Sequence, residues 1–375
     1  MGRWIHRAVE AVTTRITCKQ YRVEIASVEL RVKDFGLVSP LRSQSIWHAL
    51  CKFTNATNFG PVLSFMRPAS TYVSLGNHRS YQEINSELCS RLGIPIYRRM
   101  AGGGPVLIDR NQLFFQLTVP SSLISVSRQK SVEVVLAAVA DAFNQTNVHC
   151  QLDSYGEIAT AGRKLCGHGA MEIGGYMTVV GNLLEEFNFP LNSAILCLPW
   201  EEAREHVRSL MSAFVGPASA LEYVESDMKS NIARSLGASL RLPLKCTTNF
   251  LEIESEIQHF DKKLSNTRWV RSDDRLVSRP QQFQLVKIRA GVYVLMLVRN
   301  DYKIVLSVVF GQITKISFSA KSITTGVHTI EHPSITKSIA VIEQASQGNE
   351  AAFIKQIYDL VNQEQNTTRR KTVNV

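Results

Sequence analysis

The sequence predicts an α+β fold in two units, and three observations carry that expectation. Capped amphipathic helices and short strands are interspersed as far as Leu236, so neither an all-α nor an all-β layer architecture fits. After Gly237 the pattern changes to successive β-rich runs. At 375 residues the chain also exceeds what one small core accommodates. The expected division is 1–245 and 246–375, with the second unit the smaller.

Each element has a local reason. Ser39 and Pro40 supply an N-cap and a first-turn proline, and Leu41, Ile46, Ala49 and Leu50 fall on one helical face. Strands are expected at Tyr72–Leu75 and Ile94–Tyr97. Between them lies a helix with the capping box Ser80-x-x-Glu83, the stripe Ile84, Leu88, Cys89 and Leu92, and a stop at Gly93. Val106–Leu107 and Leu113–Val119 read as strands joined by the turn Asp109-Arg110-Asn111. Val132, Val135, Leu136, Val139 and Phe143 recur at helical spacing and predict a helix over Ser131–Asn144. Strands follow around Gly156–Thr160 and Tyr176–Leu184, then helices over Pro199–Phe214 and Ala218–Leu236. In the second unit, Pro243, Cys246, Thr247 and Thr248 connect into a helix near Asn249–Leu264. A meander of Phe283–Ile288, Val292–Val298, Tyr302–Phe310 and Ile313–Ser319 comes next, with Asn300-Asp301 as one turn. Phe353, Ile354, Ile357 and Leu360 mark a terminal helix.

Composition narrows the function classes. No apolar run approaches the roughly 20 residues that span a bilayer, so a membrane protein is not expected. Met1–Glu10 lacks the apolar core of a secretory signal. It reads as an ordinary extension leading into the strand-like Tyr21–Ile25, with an organellar transit segment the alternative raised by Arg3, Arg7 and Arg15. The 7 cysteines are odd in number and scattered without C-x-x-C spacing, which points to reduced thiols in a cytoplasmic protein and to no structural metal site. A net charge of +10 favours acidic partners. Nucleic acid is not expected among them, because no Cys/His finger, aromatic RNA-binding motif or long basic run is present.

Two motifs carry chemistry. In Arg98-Arg99-Met100-Ala101-Gly102-Gly103-Gly104-Pro105-Val106, consecutive glycines let backbone N–H groups approach an anion without Cβ obstruction, and the arginines supply charge suited to phosphate or carboxylate. A tight turn needing positive φ is the plainer use of such glycines. In Gly162-Arg163-Lys164-Leu165-Cys166-Gly167, a lysine among glycines can reach the same anion as a point charge. A solvated strand-end lysine is the commonest alternative.

The first motif, with the preceding Tyr72-Val73-Ser74-Leu75-Gly76-Asn77-His78 and the following Asp109, resembles the lipoate-protein ligase family, whose fold is shared with biotin ligases and octanoyltransferases. Glu157-Ile158-Ala159-Thr160-Ala161 leading into the lysine motif fits the second family signature. The resemblance runs from about Leu37 to Leu236. It implies a mixed-sheet catalytic domain followed by a small accessory domain. The implied activity is ATP-dependent lipoate-protein ligation: lipoate and ATP, with Mg2+, give lipoyl-AMP, from which the lipoyl group passes to a lysine of a carrier. The carrier would be a lipoyl domain, either an E2 subunit or a glycine-cleavage H-like protein.

By the same resemblance Lys164 is the catalytic residue. Gly102, Gly103, Gly104 and Val106 line the adenylate loop, with Arg99 in direct contact and Arg98 either there or on the protein's own carboxylates. Gly76 and His78 border the acyl tunnel, and Gly162, Gly167, Gly169, Gly181 and Asn182 continue the pocket. His78-Arg79 departs from the usual residues at that wall. Val179-Val180-Gly181-Asn182 replaces a histidine pair, which, with Met171–Gly174, resembles a branch found in archaea and some bacteria. The G-R-G-R-x-G-R motif of biotin ligases and the P-loop are both absent.

Two other readings stay open. Octanoyltransferases of this fold carry acyl groups as thioesters, and Cys150, ahead of Tyr155 and Glu157, falls near one such cysteine with one residue fewer in the interval. Cys166 lies inside the lysine motif, although a free cysteine is more often a small buried hydrophobe than a nucleophile. A non-catalytic homologue that only binds a lipoylated carrier is the third reading, and the intact lysine motif ranks it last.

Overall fold

The computed structural model describes residues 28–57, 59–124, 127–246, 250–272, 283–299, 302–320 and 328–331. The chain opens with β1 (Leu30–Val38), crosses over through α1 (Pro40–Thr57) and returns in β2 (Val62–Pro68) parallel to β1. A helix of this length satisfies the long connection that parallel strands require. β3 (Tyr72–Leu75) follows, then a 3-10 turn at Tyr81–Glu83 and α2 (Ser86–Arg91). The Ser80/Glu83 capping box forms, but it caps the 3-10 turn and not the expected single helix. Ile84 breaks out to bridge Leu196, and Asn85 caps α2 afresh.

After β4 (Ile96–Arg98) and β5 (Val106–Ile108) comes β6 (Gln112–Pro120), joined to β5 by the expected turn at Asp109–Asn111. β5 and β6 do not form a hairpin across Asp109–Asn111: β5 pairs with β3, whereas β6 pairs with β2 in the main sheet. α3 (Arg128–Asn144), β7 (Gln151–Leu152), β8 (Ile158–Thr160), β9 (Arg163–Lys164), β10 (Cys166–Ile173) and β11 (Tyr176–Leu184) complete the segment that holds the lysine motif. Next are α4 (Phe189–Ala194), α5 (Glu201–Phe214), α6 (Glu225–Leu240), β12 (Leu244–Cys246), α7 (Glu254–Leu264) and α8 (Thr267–Arg271). A meander of β13 (Phe283–Arg289), β14 (Val292–Arg299), β15 (Tyr302–Val309), β16 (Gln312–Ala320) and β17 (His328–Glu331) follows. Tyr21–Ile25, the turn at Asn300-Asp301 and the terminal helix around Phe353–Leu360 lie outside the described residues.

Among the described residues the main sheet has six strands in the order β10-β11-β6-β2-β1-β12. It is mixed, because the first three pairings are antiparallel and the β2/β1 and β1/β12 pairings are parallel. β6 is buried on both faces, so its alternation separates two environments. Leu113, Phe115, Leu117 and Val119 pack with α3 and α6 through Val135, Val139, Phe143, Met228 and Ile232. On the other face Phe114 joins Ile46 and Leu50 of α1 and Ile257, Phe260 and Leu264 of α7.

The expected division at 245/246 falls within β12, which pairs with β1 from Leu30↔Leu244 to Val32↔Cys246. α7 is tied to α1 by Lys52–Glu256 at 3.0 Å and by Arg42 contacts to Glu254 and Asp261. The antiparallel meander packs on α5, where Ala203, Val207 and Leu210 meet Val292, Val294, Met296 and Val305. His206 of α5 is buried in that contact, with Nδ1 2.8 Å from Ser307 Oγ and Nε2 2.9 Å from Ser317 Oγ.

Candidate active site

The glycine loop is built from behind by its two arginines. Arg98 is 1% exposed. Its Nη1 donates to the carbonyls of Gly76, Asn77 and Arg79, and its Nε to those of Trp269 and Val270. Trp269 Nε1 donates back to the Arg98 carbonyl at 2.8 Å, latching α8 to β4. Through these main-chain oxygens Arg98 holds the end of β3 and α8 beneath the loop. Arg99 donates to Ser74 O at 2.7 Å, Gly102 O at 2.7 Å and Gly104 O at 2.9 Å. Burial pulls its guanidinium down to about 10, which still leaves it charged at neutral pH.

These contacts orient the loop amides. A trans peptide sets its N–H opposite its C=O. With the Gly102 carbonyl turned onto Arg99, the Gly103 N–H therefore faces the other way. Gly103 has φ +96°, and a Cβ there would lie 2.7 Å from Arg99 Nη2. A Cβ on Gly76 would lie 1.9 Å from Gly103 O, so the end of β3 and the loop touch backbone to backbone. Gly102, Gly103, Gly104 and Val106 are exposed, as is His78. His48 of α1 holds the loop from the inside: its Nδ1–H donates to Gln44 O at 2.6 Å, so Nε2 is free to accept from Met100 N–H at 3.0 Å.

The lysine motif is a two-residue hairpin. Ala161 and Gly162 both have positive φ, as a type I′ turn requires, and join β8 to β9. Arg163 does not face the site; it donates to the carbonyls of Ser212, Ala213, Val215 and Gly216 at the end of α5. Lys164 turns the other way and places Nζ 2.8 Å from Glu157 Oε1. Glu157 is 2% exposed, and its second oxygen lies 3.1 Å from Nε of Arg289 in β13. Burial alone would raise this carboxyl, but Lys164 and then Arg289 outweigh it and hold it down at about 2. Arg289 also pairs with Asp153 and donates to the Gly162 carbonyl.

Both motifs adjoin the β10/β11 pair, at different points along β10. Met100 and Ala101 pack against Met171 and Val180, while Lys164 closely precedes β10. In this pair Gly167 faces Asn182 and His168 faces Gly181. A Cβ on Gly167 would lie 2.4 Å from Asn182 Oδ1, and one on Gly181 would strike the Phe115 ring. Asn182 is held by its own Nδ2 donating to Gln112 Oε1 at 2.6 Å. His168 Nδ1 is buried without a hydrogen-bond partner among the described residues. Burial and then Lys164 keep its ring neutral, with a pKa of about 4.

Sequence reasoning misses His168, His48 and Arg289. Only His168 has a local signal, its place between Gly167 and Gly169; the others lie far along the chain from what they touch. Neither cysteine is an activated thiol. Burial pushes both Cys150 and Cys166 up to about 12. Among the described residues no group of three or more His, Cys, Asp or Glu side chains converges to hold a metal ion. Among the same residues no helix is long and apolar enough to cross a membrane.

Comparison with known proteins adds three findings. Residues 39–221 match the family model described as the lipoyl protein ligase A/B catalytic domain. Lipoate-protein ligase LplJ of Bacillus subtilis is 24% identical over 159 residues, 42% of this chain and 46% of LplJ, so the match spans under half the length of that relative. Two solved structures share the fold. A bi-partite lipoate protein ligase of Thermoplasma acidophilum, solved in a study that includes its E2 lipoyl domain, superposes with a TM-score of 0.58 at 18% identity, covering 68% of this chain and 99% of that one. A lipoate-protein ligase A bound with ATP gives a TM-score of 0.54 at 19% identity over 65% of this chain and 99% of that one.

Proposed function

Because the chain belongs to the lipoyl protein ligase A/B family through residues 39–221, we propose that it is an ATP-dependent lipoate-protein ligase. A lipoate carboxylate oxygen attacks the α-phosphorus of ATP, pyrophosphate leaves, and lipoyl-AMP forms. The ε-amine of a carrier lysine then attacks the acyl carbonyl, AMP leaves with the bonding pair, and an amide results.

The observation that carries this reading is the Lys164–Glu157–Arg289 array, together with a glycine loop whose Gly103 N–H is turned away from Arg99. Glu157 stays ionised and accepts one of the three N–H bonds of Lys164. The other two remain for the carboxylate and α-phosphate oxygens, where charge accumulates in both steps. In this reading the loop receives the phosphate, with Gly102, Gly103 and Gly104 allowing close approach. Gly76, Gly167, Gly181 and Asn182 shape the acyl side, with His78 and Val106 at the exposed rim. Magnesium would arrive on the nucleotide's phosphates, a hard cation that keeps most of its ligands from phosphate and water.

The carrier in this proposal is a lipoyl domain, in keeping with the E2 lipoyl domain studied with the Thermoplasma protein. The six described cysteines are all free, which supports a reducing, cytoplasmic setting. A thioester route through Cys150 or Cys166 has no activated sulfur to support it.

The direct experiment incubates the protein with lipoate, ATP-magnesium and a lipoyl domain and weighs the domain. A gain of one lipoyl group is expected, strictly dependent on ATP and lost in Lys164→Ala. Transfer from an acylated carrier without ATP, or normal turnover by Lys164→Ala, would defeat the reading.

A further inference from the structure

Arg98 and Trp269 grip each other twice, each side chain on the other's main chain. Arg98 Nε donates to the carbonyls of Trp269 at 3.1 Å and Val270 at 3.0 Å, and Trp269 Nε1 donates to the Arg98 carbonyl at 2.8 Å. The last carbonyls of a helix have no partner within it. Two of those in α8 are met by a guanidinium from β4, so the helix end and the arginine satisfy one another. Displacing α8 would break both halves of this ring at once and strand a buried cation, a costly state. Trp269 itself is half-buried, with Lys263 Nζ of α7 4.9 Å from the centre of its ring.

From Arg98 the grip reaches the glycine loop in two steps. Its Nη1 donates to the carbonyls of Gly76, Asn77 and Arg79, which fixes the end of β3. The Asn77 N–H in turn donates to the Ala101 carbonyl at 2.9 Å, and the absent side chain of Gly76 leaves room for the Gly103 carbonyl. A second route starts from α7. Phe260 lies 5.6 Å, ring to ring, from His48, whose Nε2 accepts from the Met100 N–H, and Lys263 Nζ is 3.8 Å from Met100 Sδ. Both α7 and α8 lie beyond residues 39–221, the part of the chain that matches the family model. The backbone of the loop is thus set in part from outside that stretch.

We propose that Trp269 is a positioning residue for the reaction: through Arg98 it holds the glycine loop in the conformation that accepts nucleotide, and without its N–H the protein binds ATP poorly although Lys164 and its hairpin are intact. That the loop's ligand is ATP rests on the ligase reading; the grip on the loop does not. A loop held off its working position loses contact with the nucleotide in the ground state and the transition state alike. Such a loss raises KM for ATP and leaves kcat nearly unchanged.

The test compares wild type with Trp269→Phe, which keeps an aromatic ring beside Lys263 and loses the N–H. KM for ATP should rise roughly tenfold, the worth of one buried hydrogen bond, with kcat within about twofold and KM for lipoate unchanged. Amide hydrogen exchange, read by mass spectrometry, should quicken over residues 100–104 and stay as in wild type over β14 and β15, which a general loss of stability would not spare. Lys263→Met retains the hydrogen bond and removes the cation over the ring, so it should move both readouts in the same direction by about twofold to fivefold. It decides the question if Trp269→Phe does not fold. Loop exchange unchanged in these variants would overturn the proposal, as would a fall in kcat with KM for ATP unmoved, the pattern of general weakening. If loop exchange quickens in Trp269→Phe but wild type binds no ATP by calorimetry, the grip on the loop stands and the ligase reading falls.

Discussion

Arg289 and Glu157 form an ion pair 3.1 Å long, with neither side chain more than 2% exposed, and it joins the C-terminal sheet to the carboxylate that holds Lys164. Removing one member of a buried pair leaves the other charge uncompensated and costs about 3–5 kcal/mol. Arg289→Ala should lower the unfolding free energy by that order and abolish carrier modification, because Asp153 and Glu157 both lose a partner. Arg289→Lys should recover only part, since one ammonium cannot reproduce a guanidinium fork spread over Asp153, Glu157 and Gly162. Urea titration of the three proteins decides it; equal midpoints would show the pair to be dispensable.

Three glycines in and beside the Gly102–Gly104 loop should respond differently to an added methyl group. Gly76→Ala places Cβ 1.9 Å from the Gly103 carbonyl, a backbone atom that cannot rotate away. Gly103→Ala forces a side chain onto φ +96° against Arg99. Gly102→Ala meets nothing within 4 Å. Thermal unfolding should rank Gly76→Ala and Gly103→Ala well below wild type, each by more than about 1 kcal/mol, and Gly102→Ala within about 0.5 kcal/mol.

Acid should loosen the fold in a defined window. Burial lowers His48 to about 3 and His206 to about 4 from an ordinary 6.5. Between 6.5 and those values the unfolded chain binds protons that the native protein refuses, so stability is full above pH 6.5 and declines on acidification until roughly pH 3–4. Each such histidine accounts for a few kcal/mol at most, because every pH unit separating the folded from the unfolded pKa is worth about 1.4 kcal/mol. Glu157, held at about 2, adds a further loss below pH 4.5. Unfolding free energies measured from pH 7 to 4 should fall, and His206→Gln should flatten the slope. A slope identical to wild type would mean that His206 titrates normally.

The double variant Cys150→Ala, Cys166→Ala should still modify its carrier from lipoate and ATP, at a rate within a few-fold of wild type. Neither thiol is ionised near neutrality, since burial pushes both up to about 12. Loss of activity together with a hydroxylamine-sensitive acyl group on the wild-type protein would instead make Cys150 a nucleophile.

What is legible in the sequence is what is local. The hairpin carrying Lys164 and the Arg-Arg-x-x-Gly-Gly-Gly loop each lie within a dozen residues, so spacing and residue type reveal them. α1, α3 and the meander announce themselves by caps and periodicity. β1 and β2 do not, and β2 is almost continuously buried and shows no alternation. The capping box at Ser80 is genuine chemistry but does not start a long helix, since the bridge from Ile84 to Leu196 is a tertiary contact. The partners of Arg98, and the places of His48 and Arg289, depend on contacts between distant segments, such as α8 with β4 and β13 with the lysine hairpin.

The position of Arg289 has a consequence for how the protein is made. A ribosome releases Glu157 and Lys164 before β13 exists, so for part of synthesis the lysine hairpin folds without its second cation. The carboxylate that steadies Lys164 acquires its full set of neighbours only when β13 has emerged and the meander can form around it. A chain stalled before β13 therefore has the lysine hairpin but not the buried Arg289 that pairs with its carboxylate.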